Sequence, residues 1–272
     1  MRIAQYYEKD RIRLGRIDGN KLAPMEFSGD MIDFISNPKD IEGRCEPITL
    51  EEIKLAPAVS RPSKIIGIGL NYLDHVNESK GKIPKKPMIF AKFPGSLIGH
   101  GQYITWNIGL TEKVDFEAEL AVIIGKSIYD CPEDKAMEAV FGYCCANDVS
   151  ARDLQFGDKQ WVRGKSLDTF CPLGPWIVTR DEIDDPHSLG IKSLLNGRIM
   201  QDSNTGMMLF KLPALISFLS MNFTLIPGDV ILTGTPHGVG CFREPSVYMK
   251  DGDEIVVEIE GVGRLVNICR TS

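Results

Sequence analysis

Residues 115–125 decide the fold, and they read Asp115-Phe116-Glu117-Ala118-Glu119-Leu120-Ala121-Val122-Ile123-Ile124-Gly125. Alternate side chains of a β-strand point to the same face, so the apolar residues at even positions from 116 to 124 share one face. Glu117 and Glu119 then share the other face with Ala121 and Ile123. The run therefore predicts a strand over residues 116–125 that carries two neighbouring carboxylates.

The two glutamates predict a cation site on this strand. Residues two apart in a strand lie roughly 6.5–7 Å apart along the backbone, and flexible side chains can converge from there. Like charges held together in a partly buried place raise a pKa or require a cation. The alternative is a solvated outer face, which Ala121 and Ile123 disfavour because they are apolar.

Short apolar segments on both sides of this run predict further strands, at residues 64–69, 88–93, 176–179, 230–232, 254–260 and 264–268. Helical segments are fewer, at residues 71–79, 133–140 and 213–221. Strands that outnumber helices and do not alternate with them disfavour a doubly wound or barrel α/β fold. The pattern therefore predicts an α+β, predominantly β protein.

The first 58 residues predict a small N-terminal domain rich in β-structure. Asp18-Gly19-Asn20 separates two strand-like segments, as in a hairpin. The stretch at residues 56–62, Ala-Pro-Ala-Val-Ser-Arg-Pro, is rich in proline and small residues, and each proline biases the residue before it away from helix. We therefore predict one domain over residues 1–58 and a larger one over residues 59–272.

The composition is that of an average globular protein. The 272 residues include 31 Lys and Arg against 37 Asp and Glu, a formal net charge of −6, whereas nucleic-acid-binding proteins usually have the opposite balance. The seven cysteines have no Cys-x-x-Cys spacing, so we expect reduced thiols. No targeting signal or membrane-spanning stretch is recognisable. We expect a cytoplasmic protein that binds neither nucleic acid nor membrane.

Asp148 predicts a third ligand for the same cation. It follows an apolar run at residues 141–146, which fits a buried strand that ends at a carboxylate. Three carboxylates with no Cys or His pair nearby favour Mg²⁺, Mn²⁺ or Ca²⁺ over Zn²⁺. Taken alone, Asn147-Asp148 fits a turn or a helix cap equally well.

His75 and Glu78 are three residues apart in a predicted helix, so they are neighbours on one helical face. A carboxylate that holds one imidazole nitrogen is the usual support of a general base, although a His-x-x-Glu spacing also arises by chance. The segment before it, Gly67-Ile68-Gly69, begins like a dinucleotide fingerprint. The third glycine is missing where Tyr72 stands, which disfavours nucleotide-dependent hydride transfer.

Two further segments carry candidate groups. Lys165, in residues 161–170, is either a surface lysine or a fixed cation beside a metal or an oxyanion. Residues 227–240 carry Thr233 and Thr235 among glycines, which fits either an ordinary turn or a cradle for a carboxylate. The segment lacks the Gly-Lys-Ser/Thr ending of a phosphate loop, which disfavours NTP binding.

These segments in this order resemble the fumarylacetoacetate hydrolase family, from about residue 60 to the C-terminus. The residues that carry the resemblance are Gly69-Leu70-Asn71-Tyr72 with His75, the run at residues 115–120, and the segments at residues 147–152, 164–170, 174–176, 195–197, 227–229, 233–236 and 238–240. The resemblance implies an antiparallel β-roll, usually a homodimer, preceded here by the small N-terminal domain.

The resemblance also implies a role for each candidate residue. The metal ligands would be Glu117, Glu119 and Asp148, for Mg²⁺ or Mn²⁺, with Ca²⁺ a further candidate. Lys165 would lie beside them, and His75 with Glu78 would form the catalytic pair of acylpyruvate hydrolases and oxaloacetate decarboxylases. The substrate-binding residues would be Tyr72, Arg152, Gln155 and Thr235. His100, His187 and His237 have no recognisable partner in the sequence and are expected to be structural.

The leading functional hypothesis is metal-dependent hydrolysis of a C–C bond in a small 2,4-dioxo acid of the acylpyruvate type. His75 would activate water, and the metal with Lys165 would stabilise the pyruvate enolate that leaves. The alternatives are oxaloacetate decarboxylation, isomerisation or hydration of unsaturated 2-oxo diacids, and a catalytically silent metal-binding homodimer. The sequence leaves open the group at the far end of the substrate.

Overall fold

The computed structural model describes residues 1–38 and 46–272 and is dominated by strands. The strands are β1 (Arg2–Glu8), β2 (Arg11–Asp18), β3 (Lys21–Pro24), β4 (Ile48–Thr49), β5 (Lys54–Leu55), β6 (Ile65–Gly69), β7 (Met88–Lys92), β8 (Leu97–Ile98), β9 (Tyr103–Trp106), β10 (Val114–Asp115), β11 (Ala118–Ile124), β12 (Val140–Asn147), β13 (Ser150–Ala151), β14 (Cys171–Thr179), β15 (Gly190–Leu195), β16 (Arg198–Asn204), β17 (Val230–Leu232), β18 (Glu254–Ile259) and β19 (Gly263–Thr271).

The helices are shorter and fewer: α1 (Met31–Ser36), α2 (Leu73–Glu78), α3 (Glu133–Ala136), α4 (Arg152–Gly157), α5 (Val162–Lys165) and α6 (Leu212–Asn222). Single 3₁₀ turns lie at Leu50–Glu52, Pro94–Ser96, Met137–Ala139, Arg180–Glu182, Thr205–Met207 and Gly240–Phe242. The three helices predicted from the sequence are present as α2, α3 and α6. The helices α1, α4 and α5, of four to six residues, were not predicted.

The largest sheet has the order β4-β3-β2-β1-β14-β12-β11-β17-β6-β7, and a second sheet has the order β16-β15-β18-β19-β9. Most neighbouring strands are antiparallel, but β17 with β6, β14 with β8 and β19 with β9 are parallel pairs. The two sheets share a core, since Ile191, Val257 and Leu265 of the second sheet pack with Leu120 and Val122 of the first. The α+β, predominantly β class is confirmed.

Strand β11 lies in the middle of the large sheet, and every residue in it is buried. Its even-numbered residues belong to one apolar cluster with α6, whereas Ala121 and Ile123 belong to a second cluster with β1 and β12. The predicted alternation of faces is therefore confirmed. The strand begins at Ala118 rather than at 116, because the Glu117 amide donates to the Asn147 side chain over 3.0 Å instead of joining the ladder.

The N-terminal strands continue the large sheet. Residues Arg2 and Ile3 of β1 pair with Val178 and Ile177 of β14, and β2 and β3 form the hairpin predicted around Gly19. The N-terminal segment thus packs directly on the strand next to β12. The domain boundary near residue 58 stays a prediction.

Six cysteines lie in the described part of the chain, and all six are free thiols. Burial raises the pKa of the Cys144 thiol well above its usual value and that of Cys171 to about 12, which fits the prediction of packed thiols. Cys45 lies outside the described residues. Among residues 1–38 and 46–272, no helix combines the length and apolar character needed to cross a membrane.

Candidate active site

Three buried carboxylates converge beside the start of β11. Ligand atoms of Glu117, Glu119 and Asp148 all lie within 4.8 Å of one another. Strands β11 and β12 bring them together, because Ala118 pairs with Asn147 in the antiparallel register, and the Asp148 amide donates to the Glu117 carbonyl over 2.9 Å. The two glutamates predicted on one face of β11 and the aspartate predicted at the end of the neighbouring strand therefore lie together.

Two buried lysines neutralise part of this charge. Lys165 Nζ lies 2.9 Å from Glu117 Oε2 and 2.6 Å from Asp148 Oδ2, so it lies beside the carboxylates as predicted. Lys92 Nζ lies 2.5 Å from Asp148 Oδ1 and also donates to the carbonyls of Val149 and Lys165. Lys92 was not among the residues predicted from the sequence. The sequence feature that could have indicated Lys92 is its position as a charged residue near the end of an otherwise apolar predicted strand, residues 88–93.

The protonation states follow from burial and these neighbours. Burial raises the pKa of Glu119 well above its usual range, and the charges of Asp148 and Glu117 raise it further. Burial would also raise the pKa of Glu117, but Lys165 and Arg152 hold it well below its usual range. Burial alone would lower the pKa of Lys165, yet Asp148 and Glu117 keep it above its ordinary value. Lys165 is therefore a fixed cation.

Asp115 is a second group that the sequence analysis missed, although it begins the run that decides the fold. It is fully buried, and Oδ2 accepts from Arg152 Nε over 2.8 Å. It also accepts from the amides of Gly240 and Cys241. Asp115 therefore ties the loop after residue 233 to α4 and orients Arg152.

A divalent cation fits the charges and donors of this centre. The buried carboxylates of Asp115, Glu117, Glu119 and Asp148 face three buried cations, Lys92, Arg152 and Lys165, which leaves one net negative charge if all are ionised. The three convergent residues offer only oxygen atoms, the donors that Mg²⁺, Mn²⁺ and Ca²⁺ prefer. The triad could therefore hold a divalent cation, and the site with that ion would be positive enough to attract an anion.

His75 and Glu78 contact each other as their spacing predicts. His75 Nδ1 lies 3.2 Å from Glu78 Oε2 on α2, and Glu78 Oε1 accepts from the Gly238 amide over 2.8 Å. Because the carboxylate holds Nδ1, it favours the tautomer with a lone pair on Nε2. The Phe242 ring packs against the imidazole with 5.8 Å between ring centroids.

One cavity of about 280 Å³ joins these groups. Its lining includes His75, Glu117, Glu119 and Lys165, together with Arg152, Gln155 and Thr235. The remaining lining is largely apolar and aromatic, and includes Leu70, Phe90, Phe156, Trp161 and Phe242. The candidate base and the candidate cation site therefore face the same small space.

Arg152 and Gln155 line this cavity and contact each other. Arg152 Nη1 donates to Glu117 Oε1 over 2.6 Å and to Gln155 Oε1 over 2.9 Å. Arg152 Nη2 is buried and has no hydrogen-bond partner within residues 1–38 and 46–272. Because the Gln155 oxygen is engaged, its amide nitrogen is the group left to contact a ligand. Both positions fit the predicted contact with substrate.

The remaining predicted residues lie as follows. Tyr72 is fully buried in the apolar cluster of α6 and is absent from the cavity lining. The Thr235 hydroxyl donates to the Ala118 carbonyl and accepts from Gln201, so its proton is already engaged. The other histidines have partners that the sequence did not reveal: the Val266 amide for His100, the Leu212 amide for His187, and Asp74 for His237.

Known proteins are similar in sequence to the part of the chain that carries the candidate active site. The family model described as fumarylacetoacetate (FAA) hydrolase C-terminal matches residues 64–270. Oxaloacetate tautomerase fahd2, mitochondrial, of Xenopus laevis is 49% identical over 222 residues, which are 81% of this chain and 69% of that protein.

Several solved structures are similar over the whole chain. The fumarylacetoacetate hydrolase from Exiguobacterium antarcticum is 35% identical with a TM-score of 0.91, and both chains are covered completely. The 5-carboxymethyl-2-hydroxymuconate delta-isomerase from Mycobacterium smegmatis is also 35% identical, with a TM-score of 0.85 and complete coverage of both chains. These similarities and the arrangement of the site show that this chain is an enzyme of the fumarylacetoacetate hydrolase family.

Proposed function

We propose that this enzyme interconverts the keto and enol forms of a small 2-oxo diacid, with oxaloacetate as the leading substrate. The observation that carries the proposal is one cavity lined by His75, Arg152 and two glutamates, Glu117 and Glu119, whose carboxylates converge with that of the buried Asp148. The similarity to a protein named oxaloacetate tautomerase favours this reaction among those that pass through an enolate.

Glu117, Glu119 and Asp148 would hold Mg²⁺ or Mn²⁺, with Ca²⁺ as a further candidate. When bound, such an ion polarises the 2-oxo group and stabilises the negative charge that develops on its oxygen. Arg152 and Gln155, which both line the cavity, are assigned to a carboxylate of the substrate. Arg152 Nη2 has no hydrogen-bond partner in the described residues, and Arg152 engages the oxygen of Gln155 rather than its amide nitrogen.

The proton transfer is assigned to His75. With Nδ1 held by Glu78, Nε2 takes a proton from C3 of the 2-oxo acid and returns one in the reverse direction. Two of the three N–H groups of Lys165 donate to Glu117 and Asp148, so the third is left to donate to the enolate. The raised pKa of Lys165 keeps this group charged throughout.

The predicted hydrolysis of an acylpyruvate is kept as the second candidate. It passes through the same enolate, and His75 could activate water instead of removing the C3 proton. The similarity to the Exiguobacterium fumarylacetoacetate hydrolase favours it, as the isomerase from Mycobacterium smegmatis favours the predicted isomerisation. Oxaloacetate decarboxylation shares the first steps. A catalytically silent protein is disfavoured, because the family consists of enzymes.

A paired assay separates these activities. The decay of the oxaloacetate enol absorbance, pyruvate release from oxaloacetate and pyruvate release from acetylpyruvate are each followed with Mg²⁺, with Mn²⁺ and with a chelator. We expect metal-dependent enol decay that is faster than pyruvate release from either compound. If the only metal-dependent activity is pyruvate release from acetylpyruvate, the enzyme is a hydrolase and the proposed tautomerase activity is wrong. Activity that survives complete chelation would disprove the cation site.

The homodimer and the cytoplasmic location stay predictions. The first is tested by light scattering on the full chain. The second is open because the Xenopus relative has the word mitochondrial in its name.

A further inference from the structure

We propose that the enzyme also accepts 2-oxo acids that carry an aromatic ring on C3, and that Phe90 and Trp161 form the subsite for this ring. The inference rests on the proposed tautomerisation, because it uses the same cation site and the same base. It specifies the group at the far end of the substrate.

Phe90 and Trp161 form an aromatic pair on the cavity wall. Their ring centroids lie 5.7 Å apart and their planes make an angle of 61°, which is the edge-to-face arrangement that aromatic pairs favour. Both side chains line the cavity together with Phe156 and Phe242. A planar ring that enters the cavity can therefore contact aromatic groups on more than one side.

The glycines of β6 create the space that these two rings occupy. A Cβ atom at Gly67 would lie 2.2 Å from Phe90 Cζ, and one at Gly69 would lie 2.8 Å from Trp161 Cζ3. Both glycines are on the same face of the strand, two residues apart. The Gly-x-Gly sequence, which begins like a dinucleotide fingerprint, thus has a different role here. The absence of side chains at Gly67 and Gly69 leaves room for the two aromatic rings.

The aromatic pair begins next to the charged centre. Lys165 Nζ lies 5.1 Å from the centroid of the Phe90 ring and contacts Glu117 and Asp148 on its other side. If the 2-oxo acid group of a substrate lies at the carboxylate centre, the carbon atoms beyond that group lie close to the aromatic pair.

The size of the cavity and the apolar part of its lining also fit an apolar distal group. The cationic lining residues Arg152 and Lys165 both pair with carboxylates of the centre, whereas Leu70, Phe90, Phe156, Trp161 and Phe242 carry no charge. The volume of about 280 Å³ lies near the lower end of the roughly 300–1,000 Å³ range of pockets for drug-sized ligands. A four-carbon diacid leaves part of this space empty, and an aryl group fills it.

The chemistry is the same isomerisation. His75 removes a proton from C3, the C–H electron pair forms the C2=C3 bond, and the 2-oxygen takes up a proton. No atom is gained or lost and no oxidant or reductant is needed. An aryl group on C3 stabilises the enol by conjugation, which makes phenylpyruvate a suitable probe.

The experiment compares phenylpyruvate with oxaloacetate in the metal-loaded full chain. We measure kcat/KM for decay of each enol in the wild type, in Trp161→Ala and in Trp161→Phe, and we take the ratio of phenylpyruvate to oxaloacetate. We expect this ratio to fall about tenfold or more in Trp161→Ala and to be largely restored in Trp161→Phe. Tyr129→Ala removes an aromatic ring of similar size that is 67% exposed and outside the cavity lining, and should leave the ratio unchanged.

Each result decides between the two proposals. If the wild type converts oxaloacetate but not phenylpyruvate, the aromatic subsite is disproved and the tautomerase proposal stands. Inhibition by phenylpyruvate without turnover would also disprove the aromatic subsite. An unchanged ratio in Trp161→Ala also disproves it. If phenylpyruvate is converted and oxaloacetate is not, the diacid substrate is wrong and the subsite stands. No activity with either compound disproves both. Trp161→Leu replaces Trp161→Ala if the alanine variant does not fold.

Discussion

Lys92 and Asp148 form an ion pair in which both side chains are completely buried, with 2.5 Å between Lys92 Nζ and Asp148 Oδ1. The ammonium group also donates to the carbonyls of Val149 and Lys165, so each of its three N–H groups has an acceptor. The pair therefore joins a candidate metal ligand to the backbone of the lysine beside it. This connection makes β7, the last strand of the large sheet, part of the active centre.

Replacement of Lys92 by methionine should destabilise the metal-free protein strongly. Removal of one partner of a buried ion pair leaves an uncompensated charge and costs about 3–5 kcal/mol. We expect the free energy of unfolding, measured with urea in the presence of a chelator, to fall by about that amount. Mg²⁺ should recover part of the loss, because the ion supplies positive charge to Asp148.

Lys192→Met is the matched control. Lys192 also pairs with an aspartate, Asp202, but over 3.6 Å and with side chains that are 40% and 55% exposed. An exposed pair contributes about 0–1 kcal/mol, so the control should unfold nearly as the wild type does. Equal effects of the two substitutions would contradict a special role for the buried pair.

Glu119→Gln should abolish metal-dependent stabilisation. The amide oxygen can still accept from the Gly234 amide, which donates to Glu119 over 2.7 Å, so the fold keeps this contact while one ligand charge is lost. In the wild type, an ion that binds only the folded state adds about 2.7 kcal/mol at 100 times its Kd. We expect the rise in Tm with MgCl₂ to disappear in Glu119→Gln and to persist in Glu258→Gln, whose side chain is 50% exposed.

Metal binding should release a proton and tighten as the pH rises. Burial and the charges of Asp148 and Glu117 raise the pKa of Glu119 well above its ordinary value of 4.5. The metal-free folded chain therefore holds a proton that the unfolded chain loses near pH 4.5. This contribution to stability is complete below that pH and is lost as the pH rises through the raised pKa. An ion that binds the carboxylate must displace the proton.

Calorimetry in two buffers of different ionisation enthalpy measures this proton. We expect up to one proton released per Mg²⁺ bound by the wild type, and no heat of Mg²⁺ binding from Glu119→Gln. An affinity that does not change with pH would mean that Glu119 is already ionised without the metal.

His75→Ala should reduce turnover without loss of metal binding. A positioned general base contributes about 10²–10⁴-fold to a rate, so we expect kcat for the oxaloacetate enol to fall within this range. Glu78→Gln should cause a smaller fall, because the amide can still contact the imidazole but no longer stabilises its charged form. The Tm rise with Mg²⁺ should be unchanged in both variants. Full activity of His75→Ala would place the base elsewhere.

Local periodicity made much of this protein predictable. The alternation of side chains along β11 placed Glu117 and Glu119 on one face, and the i, i+3 spacing in α2 placed His75 beside Glu78. The strands β11, β18 and β19 and the helix α6 were recognisable for the same reason, whereas β15 and β16 were not predicted. The helices α4 and α5 were not predicted, although α2 and α3 are equally short.

The sequence by itself determined which side chains share a strand face or a helical turn, since covalent geometry sets these relations within a few residues. Only the tertiary structure decided which charges neutralise one another. Lys92 reaches Asp148 across 56 positions, and Asp115 reaches Arg152 across 37. Such contacts depend on strand order and register, which no local spacing encodes. The low-polarity interior then makes each of these distant pairs necessary, because an unpaired buried charge is unfavourable.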